Sequence, residues 1–457
     1  MAGIATRNTV ILKIVKYLIK YYEYLIKNKM SVYLPHSNQM FHQKLITCFS
    51  QPVCDMNSLN QIFFSNNRPF FPIMQQLYPN ESLEFLKVYG YIARLAINIE
   101  MVLPKYFDIL KSMENYNKLE LTRKQAALLF LLSFFGMMEI NNSMRLNKFV
   151  VSQVLFAKNG TPFEFARCFL NYLTTIGQWL SQDNAILEEK ITFCRISINR
   201  NNWNFAQNSF INLCPVNFIT LGSLFDGNAS YCVDFANKYI GGGTLMGGCV
   251  QEEILFATEP EAIVAMLFME EMGSNDAIGI FNTIQYSNYS GFKNSFAFNG
   301  NAINGFISNI KRHRIIAIDA DNKDMNLNAL DINGYRQIID RDIYKAFAGF
   351  YLVNTENGFE KTIATGNWGC GCFGGIHELK FLEQWIAASF AGVQRLDYYT
   401  FNEKQMNNAI KTYEIIRSNF NATGLYCALT NYKWDVNNLI LNILQNMNNQ
   451  YSNRQFS

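Results

Sequence analysis

The sequence has no basic tract and almost no net charge, +3 over 457 residues. That excludes a broad duplex-DNA face, which is built from clustered lysine and arginine. It also has no long apolar run. The longest, Ala126 to Met138, falls short of the roughly 18–20 residues that a bilayer span needs and predicts a buried helix instead. No secretory signal core is present near the start, because lysines interrupt the hydrophobic residues every few positions. Ten cysteines lie without regular spacing, which argues against a disulfide framework and predicts reduced thiols in an intracellular protein, nuclear or cytoplasmic. Histidine is scarce, four in all. His36 and His42 stand far from other ligand-type residues. Cys370-x-Cys372 with His377 has no second cysteine pair to complete a metal site, so no metal is expected.

Hydrophobic residues make up 49% and aromatics 15%, which describes a folded chain with room for two or three domains. Residues 1–189 read as a helical domain. Apolar positions recur at three and four through Leu83–Ile99, Leu121–Met138 and Phe163–Leu180, and Thr122 with Gln125 predicts a capping box. Residues 9–29 set Ile11, Val15, Leu18, Tyr22 and Leu25 on one face, with Lys13, Lys16, Lys20 and Lys27 off it. A docked first helix is predicted there, an organelle presequence or membrane-surface helix being the other readings.

From residue 190 to 402 the texture changes to alternating strands and helices. Strands are predicted at Ile191–Ile198, Val216–Leu221, Tyr231–Val233, Ala277–Phe281, Ile315–Asp319, Thr362–Thr365 and Leu396–Phe401. Helices are predicted from Pro260 to Met272, from Tyr335 to Leu352 and from Glu378 to Phe390. This order makes an α/β domain with a parallel or mixed sheet covered on both faces. Residues 403–457 read as C-terminal helices packed on that core, with a stripe of Val436, Leu439, Ile440, Ile443, Leu444 and Met447.

Two stretches carry chemistry. In the first, a strand runs into Asp234 and Asn237, then Gly241, Gly242 and Gly243, then Gln251, Glu252 and Glu253. Three glycines let backbone N–H groups approach a ligand closely. Two neighbouring carboxyls suit glycosidic cleavage, because mutual repulsion raises the proton affinity of one of them. Adjacent side chains diverge, so Glu252 and Glu253 are expected to do different jobs. The second stretch, ATGNWGCGCFGG, follows a strand and precedes a helix, with Gly366, Asn367, Gly369, Gly371, Phe373 and Gly374 in a turn suited to a diphosphate. Phe373, flanked by glycines, is expected to be an exposed ligand contact. Tyr286, Tyr289, Phe292 and Phe401 are the aromatic candidates for a base platform, each also a plausible core residue. On strands of one sheet, the two turns meet over the carboxyl ends of those strands. A nucleotide-dependent oxidoreductase is the rival reading of Gly369–Gly374 with Asp397.

The pieces VDFAN, IGGG, VQEE, QYSNYSGF, IAIDA and ATGNWGCGCFGG occur in that order. Together they resemble the poly(ADP-ribose) glycohydrolases, with a weaker match at RKQAALLFLLSFF. The resemblance implies a macrodomain-like three-layer α/β/α core with a mixed sheet, joined to an N-terminal helical accessory domain. It implies hydrolysis of ribose–ribose O-glycosidic bonds of poly(ADP-ribose) without a cofactor. The substrates would be the polymer and poly(ADP-ribosyl)ated proteins, and ADP-ribose the product, with neither duplex nucleic acid nor membrane as partner and the chain acting as a monomer. It further implies that Glu253 is the acid, that Glu252 binds ribose hydroxyls, that Asp234 is a third acid, and that Asn237 and Gln251 orient the ribose and loop. Gly366–Gly375 would hold the diphosphate, with Phe373 beside the distal ribose. The family commonly has tyrosine where this chain has Phe292, a loss of one hydroxyl bond worth about 1 kcal/mol. Asp226 is the nearest candidate for the acid set against adenine. The alternative within this resemblance is a non-catalytic macrodomain reader of ADP-ribose, which needs the diphosphate turn but not the acid pair.

Overall fold

The computed structural model describes residues 31–64, 78–112, 115–138, 145–157, 159–207, 211–303, 305–321, 324–435 and 438–446. The expected helix at 9–29 lies outside the described residues. At the centre is an eight-stranded mixed sheet. In chain order its strands are β1 (Tyr116–Thr122), β2 (Lys190–Ser197), β3 (Val216–Ile219), β4 (Tyr231–Ala236), β5 (Asp276–Thr283), β6 (His313–Asp319), β7 (Thr362–Gly366) and β8 (Arg395–Tyr399). Their spatial order is β1-β2-β5-β6-β4-β7-β8-β3. The run β6-β4-β7-β8-β3 is parallel throughout, while β1, β2, β5 and β6 pair antiparallel. A parallel run ends all its strands on one side, and that side carries the site.

The strands alternate strictly. Tyr231 and Val233 of β4 and Ile316 and Ile318 of β6 face one core, where Ile332–Tyr351 and His377–Phe390 pack. Cys232 of β4 with Ile315 and Ala317 of β6 faces the other, against Arg123–Phe134, Gly160–Ser181 and Gln251–Thr258. Both faces are covered, as the near-continuous apolar strands require. Asp234 takes the parity of Cys232, so β4 aims it at the helix that carries Glu252 and Glu253.

The capping box is present: Thr122 N–H donates to Gln125 Oε1 (2.9 Å) and Gln125 N–H to Thr122 Oγ1 (3.2 Å). Two expectations differ. The stretch before residue 189 contributes β1 as an edge strand of the sheet. Also, Pro260–Met272 is no long α-helix: only a 3-10 segment, Ala262–Leu267, forms. All residues from 252 to 270 are buried, so the apolar pattern there reports depth rather than a helical face. Glu261 is turned inward, where Arg123 Nη1 (2.5 Å) and the Tyr286 hydroxyl (2.7 Å) donate to it. Arg123 opens the helix after β1, so this buried pair ties the N-terminal helices to the segment following the acids. In the tail, residues 439–446 are helical with Leu439, Ile440 and Ile443 buried.

Candidate active site

The loop after β4 folds back on itself and is closed by the acids that follow it. Glu252 accepts from the backbone N–H of Asn237 (2.8 Å, Oε2) and of Gly241 (2.7 Å, Oε1). Glu253 accepts from Gly243 N–H (2.9 Å, Oε1) and from Val250 N–H (2.8 Å, Oε2). The second Glu253 bond is the carboxyl half of a helix-capping interaction, with Glu253 in the first turn of Gln251–Thr258. Gln251 mends the end of the sheet: its Oε1 accepts from Phe235 N–H (2.8 Å) and its Nε2 donates to Val233 O (3.1 Å). Its side-chain amide is thus engaged by the backbone of β4. Asn237 is exposed beside the cavity, its Oδ1 taken by Tyr239 N–H (3.0 Å).

Glycine is required where the acids converge. Gly242 has φ +48°, and a Cβ there would lie 2.4 Å from Glu252 Oε2 and 2.6 Å from Glu253 Oε1. The two acids, adjacent in sequence, therefore grip opposite sides of one turn. Asn147 completes it from outside, a residue that gives no sequence signal. Its Nδ2 reaches the carbonyls of Ile240 (2.9 Å), Gly242 (3.0 Å) and Tyr239 (3.4 Å). Asn147→Ala is expected to lower turnover about ten- to a hundredfold through misplacement of the acids. Asn147→Asp, which sets a carboxylate against three carbonyls, should be worse; steady-state rates with thermal melts check both.

Asp234 is fully buried and neither carboxyl oxygen has a hydrogen-bond partner. Burial, reinforced by Glu253, pushes its carboxyl well above the usual range. Glu252 is also pushed well up, by burial and then by Asp234, against which the N–H groups of Asn237 and Gly241 act. Burial and mutual repulsion thus both favour the protonated forms of Asp234 and Glu252. The consequence for stability has a definite sign. The native state holds protons that the unfolded chain releases above about pH 4, so stability is full below that pH and falls as pH rises towards the raised folded-state value. The slope is up to about 1.4 kcal/mol per pH unit for each such proton. Asp234→Asn removes one titrating group, so its melting temperature should fall less than that of the parent between pH 5 and pH 8. Parallel pH profiles would contradict this.

The second turn follows β7 and is braced from both sides. Asn367 Nδ2 donates to Thr400 O (3.1 Å), buried Trp368 donates from Nε1 to Ile318 O (2.9 Å), and Gln384 Nε2 donates to Gly366 O (3.0 Å). Gly369 has φ +72°, and a Cβ there would meet the Ala320 methyl at 2.6 Å. Gly375 N–H closes the turn onto Gly369 O (2.9 Å) and Gly374 N–H onto Gly371 O (3.2 Å). Among the described residues, the N–H groups of Gly371, Cys372 and Phe373 have no protein acceptor. They form the rim of a cavity of about 620 Å³.

Glu252, Glu253, Asn237 and Gln251 line that cavity together with Asn367, Gly369, Gly371 and Phe373. The two glycine turns, more than a hundred residues apart in sequence, thus face one space at the carboxyl ends of β4, β6 and β7. An adjoining cavity of about 510 Å³ contains Asp226 and Glu259. Phe292 and Phe401, each about half exposed, line both. Phe401 takes φ +52° just past β8. Phe373 lines the cavity but is partly buried, one side resting on the core beneath the sheet; the apolar neighbours come from elements remote in sequence. Tyr286 is core, bound to Glu261, and Tyr289 stacks on Phe296 beside the second cavity. Cys370, Cys372 and His377 line the cavity, and among the described residues no group of three His, Cys, Asp or Glu is placed to hold a metal. No described helix is long and apolar enough to cross a membrane.

Two family models match the chain: poly(ADP-ribose) glycohydrolase, helical domain, over residues 78–195, and poly(ADP-ribose) glycohydrolase, Macro domain fold, over residues 202–408. Among curated proteins, the chain is 30% identical over 294 residues to a probable poly(ADP-ribose) glycohydrolase 2 of Arabidopsis thaliana, covering 55% of each. It is 28% identical over 361 residues to poly(ADP-ribose) glycohydrolase 1 of Caenorhabditis elegans, covering 74% of this chain and 42% of that protein. The chain spans about half the length of the curated relatives it matches. A solved glycohydrolase of Deinococcus radiodurans in complex with ADP-ribose aligns at 12% identity and a TM-score of 0.33, over 47% of this chain and 89% of that one, a likeness too distant to bear on the site. The helical and macrodomain matches together take in more than half of the sequence, both named for the same enzyme, and the chain belongs to the poly(ADP-ribose) glycohydrolase family.

Proposed function

We propose that this chain hydrolyses the ribose–ribose O-glycosidic bonds of poly(ADP-ribose) and releases ADP-ribose. One observation carries the reading: an acid pair and a turn with unsatisfied N–H groups line the same cavity. In this reading the diphosphate rests on Gly371–Phe373, where N–H groups take an anion without a cation. The adenine lies in the adjoining cavity between Phe292 and Phe401, with Asp226 as the acid within reach of it. The distal ribose then lies over Glu252 and Glu253.

Glu253 protonates the departing ribose oxygen as the anomeric carbon gains oxocarbenium character, and the resulting carboxylate takes a proton from the incoming water. Glu252 binds ribose hydroxyls, and Asp234 below supplies the buried field that keeps a proton in the cluster. The helical stretch before residue 189 serves as an accessory domain that, through Asn147 and Arg123, holds the acid-bearing loop. The substrates are the polymer and the proteins that carry it, and the compartment is nuclear or cytoplasmic. Incubation with purified polymer is expected to release free ADP-ribose, read by chromatography. Binding of polymer with no release would leave a reader of ADP-ribose instead.

A further inference from the structure

Among the described residues, the two joined cavities are lined by five acids, Glu252, Glu253, Glu403, Asp226 and Glu259, against one lysine or arginine, Lys293. Besides the N–H groups of Gly371 to Phe373, little else there attracts a polyanion. Lys293 lines the catalytic cavity and not the adjoining one. Its backbone is held in the left-handed region, φ +53°, which a residue with a Cβ adopts only under constraint. The constraint is visible. Lys293 N–H donates to Cys249 O (3.1 Å), and Ser295 Oγ closes the turn by accepting from Phe292 N–H (3.0 Å) and donating to Phe292 O (2.8 Å). Cys249 directly precedes Val250, whose N–H holds Glu253. The ammonium is thus mounted on the same span that fixes the acid. It lies 5.7 Å from the Phe292 ring centroid, and among the described residues it pairs with no carboxylate.

We propose that Lys293 receives a diphosphate of the neighbouring polymer unit, the one that departs when the bond is cut. This rests on the hydrolase reading above. The diphosphate of the unit being released already has its seat on the turn after β7, built on a different element. Every further unit brings another diphosphate, and a cationic side chain whose backbone is held beside the entry of the acid helix suits the next one along. Lys293 is a specificity residue in this account: it distinguishes polymer from free ADP-ribose and takes no part in bond cleavage.

The test compares parent, Lys293→Ala, Lys293→Glu and Lys293→Arg, reading KM and kcat on polymer beside Kd for free ADP-ribose. An exposed charge pair predicts a KM for polymer about three- to fivefold higher in the alanine variant, higher still in the glutamate variant and near parental in the arginine variant. Both kcat and the ADP-ribose Kd should hold steady. The KM difference should vanish at about 0.5 M salt, where exposed charges are screened. An unchanged KM in both Lys293→Ala and Lys293→Glu overturns the proposal, as does an ADP-ribose Kd that weakens in step with KM. The parent reads the hydrolase assignment separately: no release there removes both, whereas release with unaltered variants removes the role of Lys293 alone.

Discussion

Glu253→Gln is expected to abolish release of ADP-ribose from polymer while ADP-ribose still binds. Glutamine matches the size of glutamate and keeps one acceptor oxygen for Gly243 N–H or Val250 N–H, which now hold the two carboxyl oxygens at 2.9 Å and 2.8 Å. Its NH₂ faces the other donor, a local cost of about 1–3 kcal/mol, so the loop should persist with a lower melting temperature. What is lost is the proton. An amide cannot protonate the departing oxygen, and loss of a placed general acid costs typically about 10²–10⁴ in rate. Calorimetry with ADP-ribose and single-turnover assays on polymer separate the two effects. Turnover above about a tenth of the parent would take Glu253 out of the acid role.

Gly242→Ala should be nearly as damaging without touching any ionisable group. The new methyl would fall 2.4 Å from Glu252 Oε2 and 2.6 Å from Glu253 Oε1, well inside contact distance, so both acids must move. The left-handed φ of +48° adds about 1–2 kcal/mol of strain for alanine. A displacement of 1 Å at the reacting groups is enough for about a hundredfold loss. Gly300→Ala is the matched control: its φ is +91°, yet a Cβ there meets nothing within 4 Å. It bears the strain alone and should keep full turnover. Equal activity of the two variants would mean that the acids do not depend on this turn.

The parts of this molecule legible in its sequence are those whose signal is local. The strands of the parallel run announce themselves by apolar, β-branched residues, and each glycine turn by composition. What escaped depends on contacts distant in sequence. Asn147 is one asparagine in a loop, and only folding brings its amide to three carbonyls some ninety residues away. Glu261 reads as the first turn of a helix, because Arg123 and Tyr286, which draw it inward, lie far off on either side. β1 sets aromatic Tyr116 on its exposed row and polar Asn117 on its half-buried row at a sheet edge, so its period-two signal is weak and merges with the apolar run that follows. In the sequence Phe373 reads as unsheltered for the same reason: its neighbours come from the core beneath the sheet.

The central claim is that one cavity sets a sugar against Glu253 while its phosphates rest on the turn after β7. A crystal structure of the Glu253→Gln protein with ADP-ribose tests this most directly. The diphosphate is expected on the N–H groups of Gly371 to Phe373, with the anomeric carbon of the distal ribose beside residue 253. A diphosphate seated elsewhere, or an anomeric carbon turned away from residues 252 and 253, would contradict the account.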